Sequence, residues 1–513
     1  MKTFRVKRRH ISVSYLIGLD NGGTSTKAAV FDLNGKEIAS AGRHTRTITP
    51  KPGYTERDME ELWRANCACI QEAVSKAGIS GEEVLGLAVC GHGKGLYPWG
   101  KDGRPACNGI ISTDNRAWKY PEKWYETGIY EEIHDQICQE LMACQQVSLL
   151  AWMKDHEREI YDNIRYVFSV KDYIRFRLTG EAFSEATDIS GSGLMDVKHA
   201  RFDREILEKL GIGEVYEKLA PLKYSSDICG RICKEAAALT GLPEGTPVAG
   251  GMFDIDACAV AADITSPEEL VTIAGTWSIN EFISEQPIMD GNIAMNSLFA
   301  IPGYYLAEEC SATSSGNLEW YLENCLGTGQ MPEGENVYDY VNHLVDSVKP
   351  EESDVYYLPF LYGSNAHPLG KAAFVGLTTY HGKEHMLRAV YEGVAFSHKR
   401  HIDKLLASRK PPEAIRMAGG PVQSQVWVQM FADVLGYPIE TVDAKELGAL
   451  GCAMAAAIAA GVYRDYKEAA RHMVRISERI CPDPDRTRIY QMKYKKYISV
   501  SNALDTVWGQ FEV

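Results

Sequence analysis

A chain of 513 residues with 45% hydrophobic and 24% charged side chains is too long for one core and predicts two or more domains. Its net charge of −15 and pI near 5.4 argue against a general nucleic-acid or anionic-membrane partner. Thirteen cysteines include no Cys-x-x-Cys pair and no zinc-finger spacing, so they read as reduced thiols of a cytoplasmic protein. Residues 1–12 carry Lys7-Arg8-Arg9 without a following apolar core, and read as an N-terminal extension rather than a secretory signal.

The first predicted element runs from Ile17 into Asp20, breaks at Asn21-Gly22-Gly23-Thr24-Ser25, and resumes as an alternating run after Lys27. That pattern predicts two strands joined by a tight turn whose amides converge on one spot. Gly22 and Gly23 let backbone approach a ligand, the hydroxyls of Thr24 and Ser25 add donors, and Lys27 adds a charge suited to phosphate. Asp20, at the strand end, is placed to hold the water shell of a magnesium ion. One such turn would be an ordinary hairpin. A second copy, Glu269 to Trp277 with Gly275-Thr276 at its turn, follows about half a chain later. Two turns suggest a duplicated domain with a nucleotide between its halves. Neither a P-loop nor a complete Gly-x-Gly-x-x-Gly after a strand occurs.

Apolar residues at helical spacing follow Asp58, and Gly78 stops that helix. Leu85 to Cys90 reads as a buried strand ending in Gly91-His92-Gly93-Lys94-Gly95, and strand ends are where open α/β sheets place ligands. Ile110-Ile111 delivers Asp114 and Arg116 in similar fashion, with a surface ion-pair cluster as the alternative reading. Residues 122–171 look largely helical, and Trp118, Trp124 and Trp152 read as core more than as a sugar platform. Thr246 to Asp254 is a strand entering a glycine turn, followed by a small-residue helix with Asp256 in its first turn. The boundary is placed near Asp263–Pro267, giving a first domain of residues 13–263 and a second of 264–513. There, Ala414 to Ala418 feeds Gly419-Gly420 and a helix from about Ser424, an arrangement that attracts phosphate or nucleotide. The Ala- and Gly-rich run Leu447 to Val462 is shorter than the ~20 residues of a bilayer span, and reads as a closely packed buried helix.

Together these pieces resemble the FGGY family of carbohydrate kinases. Ala372-Ala-Phe-Val-Gly-Leu377, a seven-residue spacer and His385 to Glu392 satisfy the family's second signature. Lys171-Asp-Tyr173 and Ser184-Glu-Ala-Thr-Asp188 are also family-like. Within the family the chain is most similar to the L-xylulose kinases, on Gly93 to Tyr97, Ser112 to Ala117, Val147 to Leu150 and Gly250 to Asp254. D-xylulose kinases usually carry Gln-Met-His-Gly in place of His92-Gly-Lys-Gly95.

The resemblance implies a two-domain α/β protein of the actin/hexokinase ATPase fold, built from duplicated ribonuclease H-like domains with the active site in the cleft between them. It implies ATP and Mg²⁺, and transfer of the γ-phosphate to a terminal hydroxyl of a ketopentose, L-xylulose first. Asp254 is the implied base and a sugar contact, with Asp256 as competitor; Lys94, Asp114 and Arg116 are placed around the sugar. Phosphates are expected between Asn21–Lys27 and Gly275-Thr276, magnesium near Asp20, and adenosine near Gly419, Gly420 and Gln423. Expected partners are the sugar and ATP, with no nucleic acid and no membrane; a homodimer is an analogy with the family. The alternatives are a kinase for D-xylulose, L-ribulose, erythritol or glycerol, a non-catalytic sensor on the same fold, and an actin-like filament or chaperone ATPase.

Overall fold

In the computed structural model residues 14–275, 277–326, 334, 336–364, 366–367 and 369–511 are described; Thr276 and the basic N-terminal extension lie outside the described residues. The first hairpin sets the frame. β1 (Tyr15–Asn21) and β2 (Ser25–Asp32) pair antiparallel, from Tyr15 opposite Asp32 to Asn21 opposite Thr26, and β3 (Glu37–His44) extends the meander. α1 (Met59–Ala77) crosses over the sheet. The Asp58 side chain accepts from the Glu61 amide at its start, and Gly78 ends it at φ 67°, so both sequence signals act as read. Leu62, Trp63, Ile70 and Ala73 form its buried stripe against Leu19, Val30 and Val89. β4 (Val84–Gly91) then returns parallel to β1.

A long excursion separates β4 from the rest of this sheet. Its helices cover 119–126, 129–137, 146–156 and 158–163, as expected. Ile164–Phe168, however, is a strand antiparallel to Tyr97–Gly100 rather than helix. Its β-branched and aromatic residues pack Val167 and Phe168 into separate cores, which outweighs the helical context on either side. α2 (Val170–Thr179) closes the excursion. β5 (Ile228–Arg231) and β6 (Pro247–Ala249) complete the sheet, in the order β5-β6-β4-β1-β2-β3, with the short strand Met252–Phe253 beside the end of β4. α3 (Asp254–Ala261) follows directly.

The second half repeats the plan. β7 (Val271–Ala274) and β8 (Ser278–Ser284) form its hairpin, β9 (Met295–Leu298) and β10 (Tyr305–Ser311) extend it, and α4 (Lys383–Ala407) crosses over. β11 (Ile415–Gly419), α5 (Gln425–Leu435), β12 (Ile439–Val442), α6 (Leu447–Ala459) and β13 (Ile476–Ile480) finish it. The order is β9-β10-β8-β7-β11-β12-β13. In both halves the first three strands of the central run are antiparallel, and the next two add in parallel on the other side of the first.

The halves meet at α6, the small-residue run of the sequence. A Cβ on Gly18 of β1 would lie 1.8 Å from the Ala449 carbonyl oxygen, and one on Gly451 would lie 2.2 Å from the Ala257 carbonyl oxygen of α3. Only glycine permits backbones this close. The family signature, by contrast, is a brace inside the second half. Phe374 packs on Tyr357 with ring centroids 4.6 Å apart, while Glu392 pairs with Arg388 at 2.8 Å and Lys493 at 2.6 Å, all out of solvent. No helix among the described residues is long and apolar enough to cross a membrane.

Candidate active site

Each of the two glycine turns is held from behind. In the first, the fully buried Arg57 donates through Nη1 to the Gly22 carbonyl at 3.2 Å and through Nη2 to that of Gly23. Asn66 of α1 receives Asn21 Nδ2 at 3.1 Å and Thr26 Oγ1 at 3.0 Å. These bonds fix the turn's carbonyls inward, leaving Gly23 and Thr24 exposed at the tip and Gly22 and Ser25 partly so. Lys27 is not free beside the turn: its ammonium pairs with Glu446, at the start of α6, at 3.0 Å. That ion pair ties the first hairpin to the second half.

In the second turn the Gly275 carbonyl accepts the Ser315 amide at 2.9 Å and its hydroxyl at 2.6 Å. Beneath it lies a buried network in which His398 of α4 meets Thr272, Ser278, Asn280 and Ser314. Burial drives the His398 pKa well below the usual range, so the imidazole is neutral and acts as a hydrogen-bond hub. Gly419 lies next to this turn, paired with Ala274 in parallel register; its φ is 100°, and a Cβ there would be 2.4 Å from the Ala274 carbonyl oxygen. Gly420 opens the short turn of 3₁₀ helix that ends at Gln423, and both are exposed. The structure thus brings Gly275, Gly419 and Gly420 together, with Gln423 at the rim; Thr276 lies outside the described residues.

Asp20 and Asp254 are the acids of the cleft. Asp254 is the first residue of α3, partly exposed, and reached through the Gly250-Gly251 turn. That turn is fixed by α2 and by the short helix Ala186–Ser190: Arg175 Nη1 donates to the Gly250 carbonyl at 2.6 Å, and the Phe253 amide donates to the Thr187 hydroxyl at 2.9 Å. Arg175 and the fully buried Lys171 are held by Asp172, each at 2.8 Å, with Glu185 3.2 Å from Lys171. The Lys-Asp-Tyr helix is therefore the mount of the Asp254 turn. Burial, then Asp20, Asp188 and Glu308, push the Asp254 carboxyl well above the ordinary carboxylate range. Burial also raises Asp20, against the lowering effect of Lys27. Asp256 is wholly buried and its Oδ1 accepts the Ala300 amide at 3.0 Å, which leaves Asp254 the acid with access to the cleft.

Lys94 sits at the tip of the loop after β4 at φ 62°, its ammonium 6.0 Å from the centroid of the Phe253 ring. His92 is turned inward onto the Tyr97 hydroxyl at 2.9 Å, and burial lowers its pKa to about 4, so it is a neutral prop. Asp114 and Arg116 form a buried pair rather than a surface one. Arg116 donates to Asp114 at 2.9–3.1 Å and to Glu56 at 2.7 Å, with its guanidinium 4.2 Å from the Tyr54 ring centroid. The remaining acceptor capacity of Asp114 takes the Thr55 and Arg116 amides. Trp124 and Trp152 are core, whereas Trp118 is 48% exposed.

Sequence reasoning missed Arg57, Asn66, Ser315, Glu308 and the Lys27–Glu446 pair. An arginine two residues before a predicted helix carries no signal of which turn it clamps. Partners separated by 419 positions, as Lys27 and Glu446 are, meet only through the fold.

Two mixed sheets of one plan, each with a glycine turn after its first strand, are the two-domain actin/hexokinase-like fold. Residues 15–261 match the N-terminal domain and residues 270–460 the C-terminal domain of the FGGY family of carbohydrate kinases. The chain belongs to that family. It is 38% identical over 492 residues to an L-xylulose/3-keto-L-gulonate kinase of Escherichia coli K12, covering 96% of this chain and 97% of the relative. It is 34% identical over 493 residues to a probable L-xylulose kinase of Pasteurella multocida Pm70, covering 96% and 99%. Among solved structures, xylulose kinase from Rhodospirillum rubrum superposes with a TM-score of 0.85 at 26% identity, covering 96% of this chain and all of that one.

Proposed function

We propose that this carbohydrate kinase transfers the γ-phosphate of ATP to a terminal hydroxyl of a ketopentose, with L-xylulose as the leading substrate. The observation that supports the reading is Asp254 itself: a partly exposed acid at the first position of α3, near enough to Asp20 for that charge to raise its pKa. A sugar hydroxyl ionises far above neutral pH, so attack on the γ-phosphorus needs a base within hydrogen-bond reach. The hydroxyl oxygen bonds to phosphorus, the bond to the ADP oxygen breaks, and the hydroxyl proton passes to Asp254. Its raised pKa suits that work, because a stronger carboxylate base takes the proton more readily.

Residues 13–263 are read as the sugar half and 264–513 as the nucleotide half. Asn21, Gly22, Gly23, Thr24 and Ser25 face the phosphates from one side, with Lys27 bracing them; Gly275 and Thr276 face from the other. Gly419, Gly420 and Gln423 receive the adenosine. Among the described residues no three His, Cys, Asp or Glu side chains are grouped for direct metal ligation. The single carboxylate of Asp20 suits Mg²⁺, which keeps several waters and is held by one or two carboxylates plus phosphate oxygens. Bound there, the ion would neutralise phosphate charge. Lys94 donates to the sugar, and the Asp114–Arg116 pair shapes the wall behind it. A cytoplasmic location fits this activity and the reduced cysteines.

The names of the two L-xylulose kinase relatives favour L-xylulose over erythritol, glycerol, L-ribulose or D-xylulose. ADP release over a panel of ketopentoses and polyols tests this. The highest kcat/KM is expected with L-xylulose, and Lys94→Ala is expected to raise the sugar KM about tenfold or more while leaving the ATP KM unchanged, the loss of one charge-assisted hydrogen bond. Another winning substrate would overturn the sugar assignment, and silence with nucleotide still bound would overturn the activity.

A further inference from the structure

The second half contributes a carboxylate to the sugar side of the cleft that the mechanism above does not use. β10 alternates its side chains. Leu306 packs in the core shared by the two halves, Ala307 packs in the core around α4, and Glu309 meets His401 of α4 at 3.1 Å. Glu308 and Cys310 therefore share the Leu306 face, toward the first half. Glu308 is 7% exposed, and its Oε2 has no hydrogen-bond partner. Directly across the ladder lies Glu281 of β8, fully buried, with neither carboxylate oxygen bonded.

Two acids opposed in this way are destabilising on a sheet, and unbonded buried oxygens cost more still. A purely structural role does not account for them. Their surroundings do. Met295 is the partner of Glu308 on β9, and it also bridges to Gln139 of the first half; the Asn296 amide donates to the Cys138 carbonyl at 3.2 Å. A few residues on, the Cys144 carbonyl accepts the Gly95 amide at 2.8 Å and so seats the Lys94 loop. At its other end β10 finishes at Ser311, opposite Ser278 beside the Gly275 turn. Glu308 thus stands on the wall between Lys94 and the phosphate turn. Glu308 is the charge that most favours the Lys94 ammonium, and it also raises Asp254.

We infer that Glu308 is a specificity residue for the acceptor: it offsets Lys94 across the cleft, accepts a sugar hydroxyl through Oε2, and selects neutral ketoses over sugars bearing a carboxylate. The inference rests on the ketose kinase reading and names its selectivity. Lys94 is thus faced by the Glu308 side chain across the pocket, with Asp254 beside them. A neutral ketopentose can offer its hydroxyls to these groups, whereas a ketonate would bring a carboxylate up against Glu308.

The test compares kcat/KM for L-xylulose and for 3-keto-L-gulonate in the wild-type enzyme, Glu308→Gln and Glu308→Asp. The wild-type enzyme is expected to prefer the neutral sugar. Glu308→Gln should shift the ratio toward the ketonate about tenfold or more, since one nearby charge is removed from a desolvated site. Glu308→Asp, which keeps the charge, should restore the wild-type preference. Thermal unfolding guards against a folding artefact: neutralising one of two opposed acids should leave the melting temperature equal or higher. An unchanged ratio in a folded Glu308→Gln enzyme, or a wild-type preference for the ketonate, overturns the inference while the kinase reading stands. A wild-type enzyme inactive on both sugars overturns both.

Discussion

The two halves share one scaffold and put different chemistry on it. Asn21 and Ala274 end the first strands of their sheets, and their parallel neighbours are Gly91 and Gly419. One residue earlier, the first half carries Asp20 where the second carries Ile273. Behind the turns, α1 offers Asn66 and α4 offers His398 as the buried hub that ties the hairpin to its helix. Counting from Thr26 and Ser278, which face those strand ends, Ala29 in the first half corresponds to Glu281 in the second. The backbone builds the same turn twice; side chains at matched register put an acid, Asp20, beside one copy and Ile273 beside the other.

If the first half holds the chemistry and the second the nucleotide, damage to each should read differently. The largest effect is expected at Asp254, which has the acceptor hydroxyl as its task. Asp254→Asn should lower kcat by about 10²–10⁴ with little change in either KM, the usual worth of a general base. In the parent enzyme the acidic limb of kcat/KM against pH should fall above the ordinary carboxylate range, because the Asp254 pKa is raised and the base works only when ionised. A near-normal rate in the variant would move the base elsewhere.

The halves also need their shared seam. α3 and α6 follow the last parallel strands of their sheets and pack on each other where Gly451 meets Ala257. Gly451→Ala places a methyl 2.2 Å from a backbone oxygen that has no side-chain freedom to yield. Overpacking should outweigh the roughly 1 kcal/mol gained in helix propensity and give a net loss of about 1–3 kcal/mol. Urea unfolding reads this as a lower midpoint at unchanged slope; a stabilised variant would mean the helices slide apart freely.

A smaller and more selective effect is expected at Gly419. Its φ of 100° and the Ala274 oxygen 2.4 Å from any Cβ make Gly419→Ala strained. The ATP KM should rise by about tenfold, equivalent to ~1.4 kcal/mol of lost binding, while the sugar KM holds. Equal rises in both would blur the division between the halves.

Much of this site is legible without coordinates because glycine, charge and helix caps act locally. Asp58 and Gly78 mark the ends of α1, Gly22-Gly23 and Gly275 mark the turns, and the small-residue run of α6 announces a close approach. What is not legible is long-range pairing of polar groups. Lys27 reads as a phosphate ligand until the fold brings Glu446 to it. Asp114 and Arg116 read as sugar-site residues, with a surface ion pair as the alternative, and nothing in the sequence shows Tyr54, Glu56 and Trp152 around Arg116. Ile164–Phe168 reads as helix because its neighbours do. Glu281 and Glu308 give no signal at all, since an acid within a strand ordinarily predicts a solvent-facing position.

Those two acids supply the finest test of the comparison, because the matched pair in the first half, Ala29 and Ser40, is uncharged. Burial first, then Glu308, Asp256 and Asp254, raise the Glu281 pKa well above the usual range. The folded protein therefore binds a proton there that the unfolded chain has released. The stability Glu281 supports is fully present below its unfolded pKa of about 4.3 and declines as pH rises toward the raised folded value. Glu281→Gln mimics the protonated acid at every pH. Its melting temperature should match the parent at about pH 4 and below and exceed it by a few degrees at pH 8, giving the flatter profile of a sheet whose matched position is alanine. Parallel profiles would mean that Glu281 has found a cationic partner in solution, and that the two sheets are more alike in charge than their matched positions indicate.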